Sequence, residues 1–84
     1  MYASDTFNKI LDSCREIRVQ GDSTDLHDEC TEVYAKASAL HDYHAMVNLR
    51  ENLESLKEWA ECEELYDVEM EAGNALDLIE EVIR

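Results

Sequence analysis

Residues 4–40 read SDTFNKILDSCREIRVQGDSTDLHDECTEVYAKASAL, and this stretch decides the fold. Phe7, Ile10, Leu11, Cys14 and Ile17 recur at helical spacing, with Ser4 placed to cap the first turn and Asp5 set against the positive end of the helix dipole. Gly21 follows as the stop. Gly21-Asp22-Ser23 is a turn, and Ser23 or Thr24 caps a second helix whose early turns carry Asp25, Asp28 and Glu29. Its apolar face is Leu26, Cys30, Val33, Ala37 and Leu40. Two helices joined by a short turn form an antiparallel hairpin. Pairing outward from residue 22 sets Ile17 against Leu26, Cys14 against Cys30, Ile10 or Leu11 against Val33 or Tyr34, and Phe7 over Ala37. The two cysteines read as small core residues in contact, with a redox switch as the other reading.

Beyond Leu40 the apolar stripe changes phase. Continuing the second helix would place Glu51 and Glu54 in the core, whereas Met46, Leu49, Leu53, Leu56 and Ala60 or Trp59 form a new stripe. A break or kink is therefore expected in His41-Asp42-Tyr43-His44, with Asp42 as a cap and the two histidines as a polar pair at a helix boundary. A second phase change falls at Glu61 to Glu64. From there Leu65, Val68, Ala72, Leu76, Ile79 and Ile83 are regular, and Gly73-Asn74 is a turn-like pair at which Asn74 caps a final helix. The expectation is an all-α chain, a small bundle of three to four helices beginning with an antiparallel helical hairpin. If the second and third segments fuse, the long helix leaves an apolar face that a second copy would cover, so a homodimer is expected.

Composition supports this reading and narrows the function. The chain has 84 residues, enough for a single helical domain over 1–84, with 45% hydrophobic and 33% charged residues, no proline and two glycines. No apolar run is long enough to cross a membrane, and Asp5, Lys9, Asp12, Arg15, Glu16 and Arg18 interrupt the first twenty residues, so neither a span nor a signal peptide is expected and the chain reads as cytoplasmic. Cys14, Cys30 and Cys62 are neither a disulfide framework nor a zinc pattern and read as reduced thiols. The formal net charge is −14, from 21 acidic against seven basic residues. Solubility of a small domain needs only about 2 to 8 charges, and the excess costs stability through self-repulsion. Nucleic acid and anionic membrane are repelled by such a field; a basic protein surface is attracted.

The acids are concentrated toward the C-terminal half, where Glu58 to Glu81 holds ten of them and no base. Glu51, Glu54, Glu58, Glu61, Glu64 and Asp67 recur at steps of three and four, so an unbroken helix presents them as one ridge, with Glu71 beyond it. Each step advances about 4.5 to 6 Å, comparable to the spacing of phosphates along a strand. Size, helicity, charge and this ridge together resemble the small acidic phage inhibitors that mimic nucleic acid and block restriction, CRISPR or nucleoid proteins. The resemblance implies a partner-binding module, without catalysis or cofactor, that occupies the basic surface of a nucleic-acid-binding protein in the cytoplasm of a host. Trp59 and Tyr66 lie beside the ridge and serve either as binding anchors or as core.

Two other readings remain. Asp28-Glu29-Cys30-Thr31-Glu32 and Glu63-Glu64-Leu65-Tyr66-Asp67-Val68 resemble the acidic helix motifs of the MazG-like NTP pyrophosphatases. That resemblance implies Mg²⁺ held by Glu29, Glu32, Glu64 and Asp67, a donor set that suits a hard cation. The stretch between residues 58 and 83 carries no cation to bind triphosphate, however. The third reading is a homo-oligomeric assembly or adaptor subunit. A Cys-His nucleophile needs an electropositive surrounding that this chain does not supply, Gly21 and Gly73 stand too far apart for a phosphate-cradling loop, and no histidine follows a glutamate at the spacing of a di-iron site.

Overall fold

A computed structural model describes residues 4–40 and 42–83, in which four α-helices and no strand are found. They are α1 (Ser4–Gly21), α2 (His27–Ser38), α3 (Tyr43–Cys62) and α4 (Tyr66–Ile83). The expected Ser4 cap and the His41 half of the histidine pair lie outside the described side chains, while His44 is exposed in the first turn of α3.

The first hairpin forms, with Ile10, Cys14 and Ile17 of α1 buried alongside Leu26, Cys30, Val33 and Ala37. Its turn differs from the expected one. No glycine among the described residues has a positive φ, so Gly21 is not a left-handed stop. It is the last helical residue, and its missing side chain makes room for α2: a Cβ there would overlap Cys30 Sγ and lie 3.2 Å from Cys30 Cβ. Thr24 does not cap α2 either. Its hydroxyl donates to the Gly21 carbonyl at 2.8 Å and accepts from the Leu26 amide at 3.1 Å, closing the five-residue connection, while the N-cap position, Leu26, has no side-chain cap bond. The longer connection shifts the register. Cys30 lies against Gly21 instead of Cys14, and the Arg18 guanidinium stands 4.6 Å from the centre of the Tyr34 ring, where Ile10 or Leu11 was expected. The facing partner on α1 is displaced by about seven residues, or 10 Å. The Cys14–Cys30 pairing belonged to the symmetric register and is replaced with it; both thiols are free and buried.

The break before α3 falls where the phase change places it. Asp42 caps the helix, its carboxylate accepting from the Ala45 amide at 2.8 Å, which satisfies one of the free N–H groups of the first turn. The second and third segments are therefore separate helices, and the fused-helix argument for a dimer lapses. Met46, Leu49, Leu53, Leu56 and Ala60 are buried, as the new stripe requires. α3 ends in a Schellman motif: the Leu65 amide donates to the Ala60 carbonyl at 2.8 Å and the Glu64 amide to the Glu61 carbonyl at 3.2 Å. Glu64 occupies the left-handed position of that motif, with φ 59°, and among the described residues it is the one non-glycine with positive φ.

α4 corrects the reading of Gly73-Asn74. The helix runs unbroken from Tyr66 to Ile83, and Asn74, instead of capping anything, donates to Glu71 one turn earlier at 3.2 Å. Packing overrides the local turn signal here. Val68, Ala72, Ala75 and Ile79 are buried, and α4 lies between α1 and α3, its small residues permitting close approach on both sides.

The helices form a closed ring in which each packs on the next and α4 returns to α1; α2 and α3 share the least extensive seam. That seam is crossed by the Lys36 ammonium, which donates to Asn52 at 2.7 Å. The rod measures 37 × 19 × 18 Å. Its core is wholly apolar: among the described residues no polar or charged side chain is buried.

Candidate functional site

Three side-chain placements fix which way α3 faces. Lys57 Cε lies 3.9 Å from where a Gly73 Cβ would be, and the Arg50 guanidinium is 3.4 Å from Glu80, so positions 50 and 57, seven apart, look toward α4. Asn52 reaches Lys36, so its side of the helix, which seven residues later includes Trp59, looks toward α2. Between these two sides and opposite the core lie Glu51, Glu54, Glu58 and Glu61, all exposed. The sequence-predicted ridge thus exists on α3, over about 15 Å of helix axis.

It does not extend as one rod. Because α3 stops at Cys62, Glu64 sits in the turn, and Asp67 and Glu71 belong to a helix that runs the opposite way. Asp67 is exposed at the start of α4, and Glu71 is partly buried and bonded by Asn74. The chain reversal also adds something the linear reading lacked. α4 carries six carboxylates (Asp67, Glu69, Glu71, Asp77, Glu80 and Glu81) and no cation, and Glu80, seven residues after Gly73, stands on the side that borders α3 and adds to the acidic face there.

Two cations border that face: Lys57 of α3 lies by Gly73 and Arg50 reaches Glu80. Arg50 is shared between Glu54 at 3.8 Å and Glu80 at 3.4 Å, pinning α3 to α4 while leaving its own Nε buried without a hydrogen bond. Among the described residues, Glu51, Glu58 and Glu61 form no ion pair. Like charges three and four apart on a helix cost about 0.2–0.5 kcal/mol per pair, and here that cost is borne by a helix whose stability comes from its buried stripe. The bases of the first half are spent elsewhere: Arg15 on Asp12, Lys36 on Glu32 and Asn52, Arg18 over Tyr34.

The two aromatic candidates separate. Tyr66 is 67% exposed and lies seven residues before Gly73, hence on the side of α4 that borders α3; Trp59 is 45% exposed but turned toward α2, away from the acidic row. Met70, 60% exposed and one turn after Tyr66, was missed by sequence reasoning. The signal was available: Met70 falls out of phase with Val68 and Ala72, so a regular α4 puts it outside.

The alternative Mg²⁺ set is not assembled. α2 and α4 do begin at the same end, where Ser23, Thr24 and Asp25 border Glu63 and Leu65 in one shallow hollow. Yet Glu32 is paired with Lys36 at 3.5 Å, and among the described residues no three of His, Cys, Asp and Glu gather closely enough to hold a metal ion. Burial pushes the Cys14 thiol up to about 12, and burial with the nearby Glu29 carboxylate pushes Cys30 up to about 11, so neither is a nucleophile near neutral pH. No described helix is long and apolar enough to cross a membrane. No protein-family model matches the chain, and neither the curated proteins nor the solved structures contain a significant match to it.

Proposed function

We propose that this protein is a binding module whose acidic α3–α4 face occupies a basic, nucleic-acid-binding surface of a partner protein and so blocks it. The observation that carries the reading is the row Glu51, Glu54, Glu58 and Glu61, exposed, evenly stepped and, among the described residues, ion-paired only at Glu54, by Arg50. A face kept only for solubility interleaves both signs; this one keeps a self-repulsion that a cationic partner would relieve. The stepping of the row suits a surface built to bind successive phosphates.

The test is affinity capture from the native host with wild-type protein and with the Glu51→Lys/Glu58→Lys/Glu61→Lys variant, whose three positions are exposed and form no ion pair among the described residues. Wild type should retain a nucleic-acid-binding protein that is released by added DNA or RNA and by raised salt, because exposed charges are screened within about 8 Å at physiological ionic strength. The variant should retain nothing while keeping its helical circular dichroism. Capture that is indifferent to salt, or that nucleic acid does not compete away, rules the proposal out.

A further inference from the structure

α4 has six carboxylates and no cation, yet its solvent side carries two large apolar residues, Tyr66 at 67% and Met70 at 60% exposure. They stand four residues apart and so share one face of the helix. Their place relative to α3 follows from the two contacts between these helices. Lys57 lies by Gly73 and Arg50 by Glu80, an antiparallel register that sets Met70 level with Glu61 and puts Tyr66 beside the α3–α4 turn. The apolar pair therefore borders the turn end of the acidic row. Exposed apolar residues scattered singly need no explanation, but these two are adjacent and stand on a helix of six carboxylates, with Lys57 of α3 reaching Gly73 one turn beyond Met70.

We infer that the outer groove between α3 and α4 docks a cationic amphipathic helix of about three to four turns, with Tyr66 and Met70 gripping an apolar side chain at one of its ends. This rests on the reading of the α3 row as the partner face and goes further by naming the shape and chemistry of the partner. Two packed helices leave a groove on their outer side that takes a third. Lysines or arginines repeating every three or four residues on that third helix match the step of Glu51, Glu54, Glu58 and Glu61. Charge complementarity steers and orients such a segment, and the desolvated aromatic and thioether contact supplies the part of the affinity that salt does not remove. A duplex-shaped cationic channel uses the carboxylates alone and gains nothing from Tyr66 and Met70; the pair distinguishes the two kinds of occupant.

The experiment uses two synthetic helical peptides, one with a lysine face and a leucine near one end, the other identical except for alanine in place of the leucine. Each is titrated calorimetrically into wild-type protein, into Tyr66→Ala/Met70→Ala, and into Glu51→Lys/Glu58→Lys/Glu61→Lys. Wild type should bind the leucine peptide at least about tenfold more tightly than the alanine peptide, with a negative heat-capacity change from apolar burial. The Tyr66→Ala/Met70→Ala protein should bind both peptides equally, at the alanine-peptide level, and melt as wild type does. If that variant keeps the preference for leucine, or wild type has none, the inference is overturned while the acidic face stands. If charge reversal on α3 leaves peptide binding unchanged, or neither peptide binds, the helical occupant is ruled out, and the acidic-face reading is judged separately by the capture competed with nucleic acid.

Discussion

Replacing Glu64 with glycine should stabilise the protein, and the size of the gain can be worked from one backbone angle. Glu64 holds φ 59° so that its amide and that of Leu65 can satisfy the Glu61 and Ala60 carbonyls at the end of α3. An L-residue in that conformation costs about 1–2 kcal/mol because Cβ crowds the backbone, and glycine avoids the cost. Glycine also loses more freedom on folding, which takes back about 0.5–1 kcal/mol, so a net gain on the order of 0.5–1 kcal/mol remains. For a domain of this size about 1 kcal/mol moves Tm by about 4–8 °C; an increase of a few degrees is the expected result, read by circular dichroism with a parallel urea titration. Glu64→Gln is the control: it removes the same carboxylate from a chain of net charge −14 but keeps Cβ in the strained position. If the glutamine variant gains as much as the glycine variant, charge relief and not backbone strain explains the effect, and the argument from φ fails.

The two natural glycines should respond in opposite senses. Gly73→Ala adds a Cβ at 3.9 Å from Lys57 Cε, ordinary contact, inside a continuous helix, so stability should rise by about 0.8–1 kcal/mol in chemical denaturation. Gly21→Ala drives a Cβ into Cys30 Sγ and should cost about 1–3 kcal/mol, as overpacking does, with partial rescue by Cys30→Ala. Thiol titration with an aromatic disulfide at pH 8 should find Cys62 reactive in the native protein and Cys14 and Cys30 only after unfolding. Because both buried thiols have folded-state values above the ordinary 9.0, their contribution is complete below about pH 9 and is lost as pH rises through about 11 and 12; stability measured upward from pH 9 should fall less steeply in Cys14→Ala/Cys30→Ala than in wild type.

The faces of the helices were legible in the sequence because a period of 3.6 residues marks a buried stripe directly. Leu49, Leu53, Leu56 and Ala60 could only be buried together, and Asp42 stood where a cap was needed. What was not legible depends on contacts between distant residues. Gly73-Asn74 has the composition of a turn, but α1 and α3 packing on Ala72 and Ala75 keep α4 helical across it. The register of the first hairpin hinged on a connection of five residues instead of three, a difference that pattern matching cannot see and that moved Cys30 from Cys14 to Gly21. The acidic ridge to Asp67 required an unbroken helix; the phase change at Glu61 to Glu64 marks the break, but with a glutamate and no glycine at the left-handed position nothing in the pattern announces that the chain reverses there. That reversal is what brings α4, with Tyr66 and Met70, alongside the row.

The thin seam between α2 and α3 has a kinetic meaning. α2 is the shortest helix, at 12 residues, and its seam with α3 is the least extensive in the ring, crossed by the Lys36 bond to Asn52. α4, by contrast, is clamped by a helix on either flank. Amide protons of α2 should therefore exchange with deuterium through partial opening of the molecule, while those of α4 wait for global unfolding. The carboxylates of α4 should therefore sit on the slow-exchanging part of the bundle, with the α2 corner the first to open.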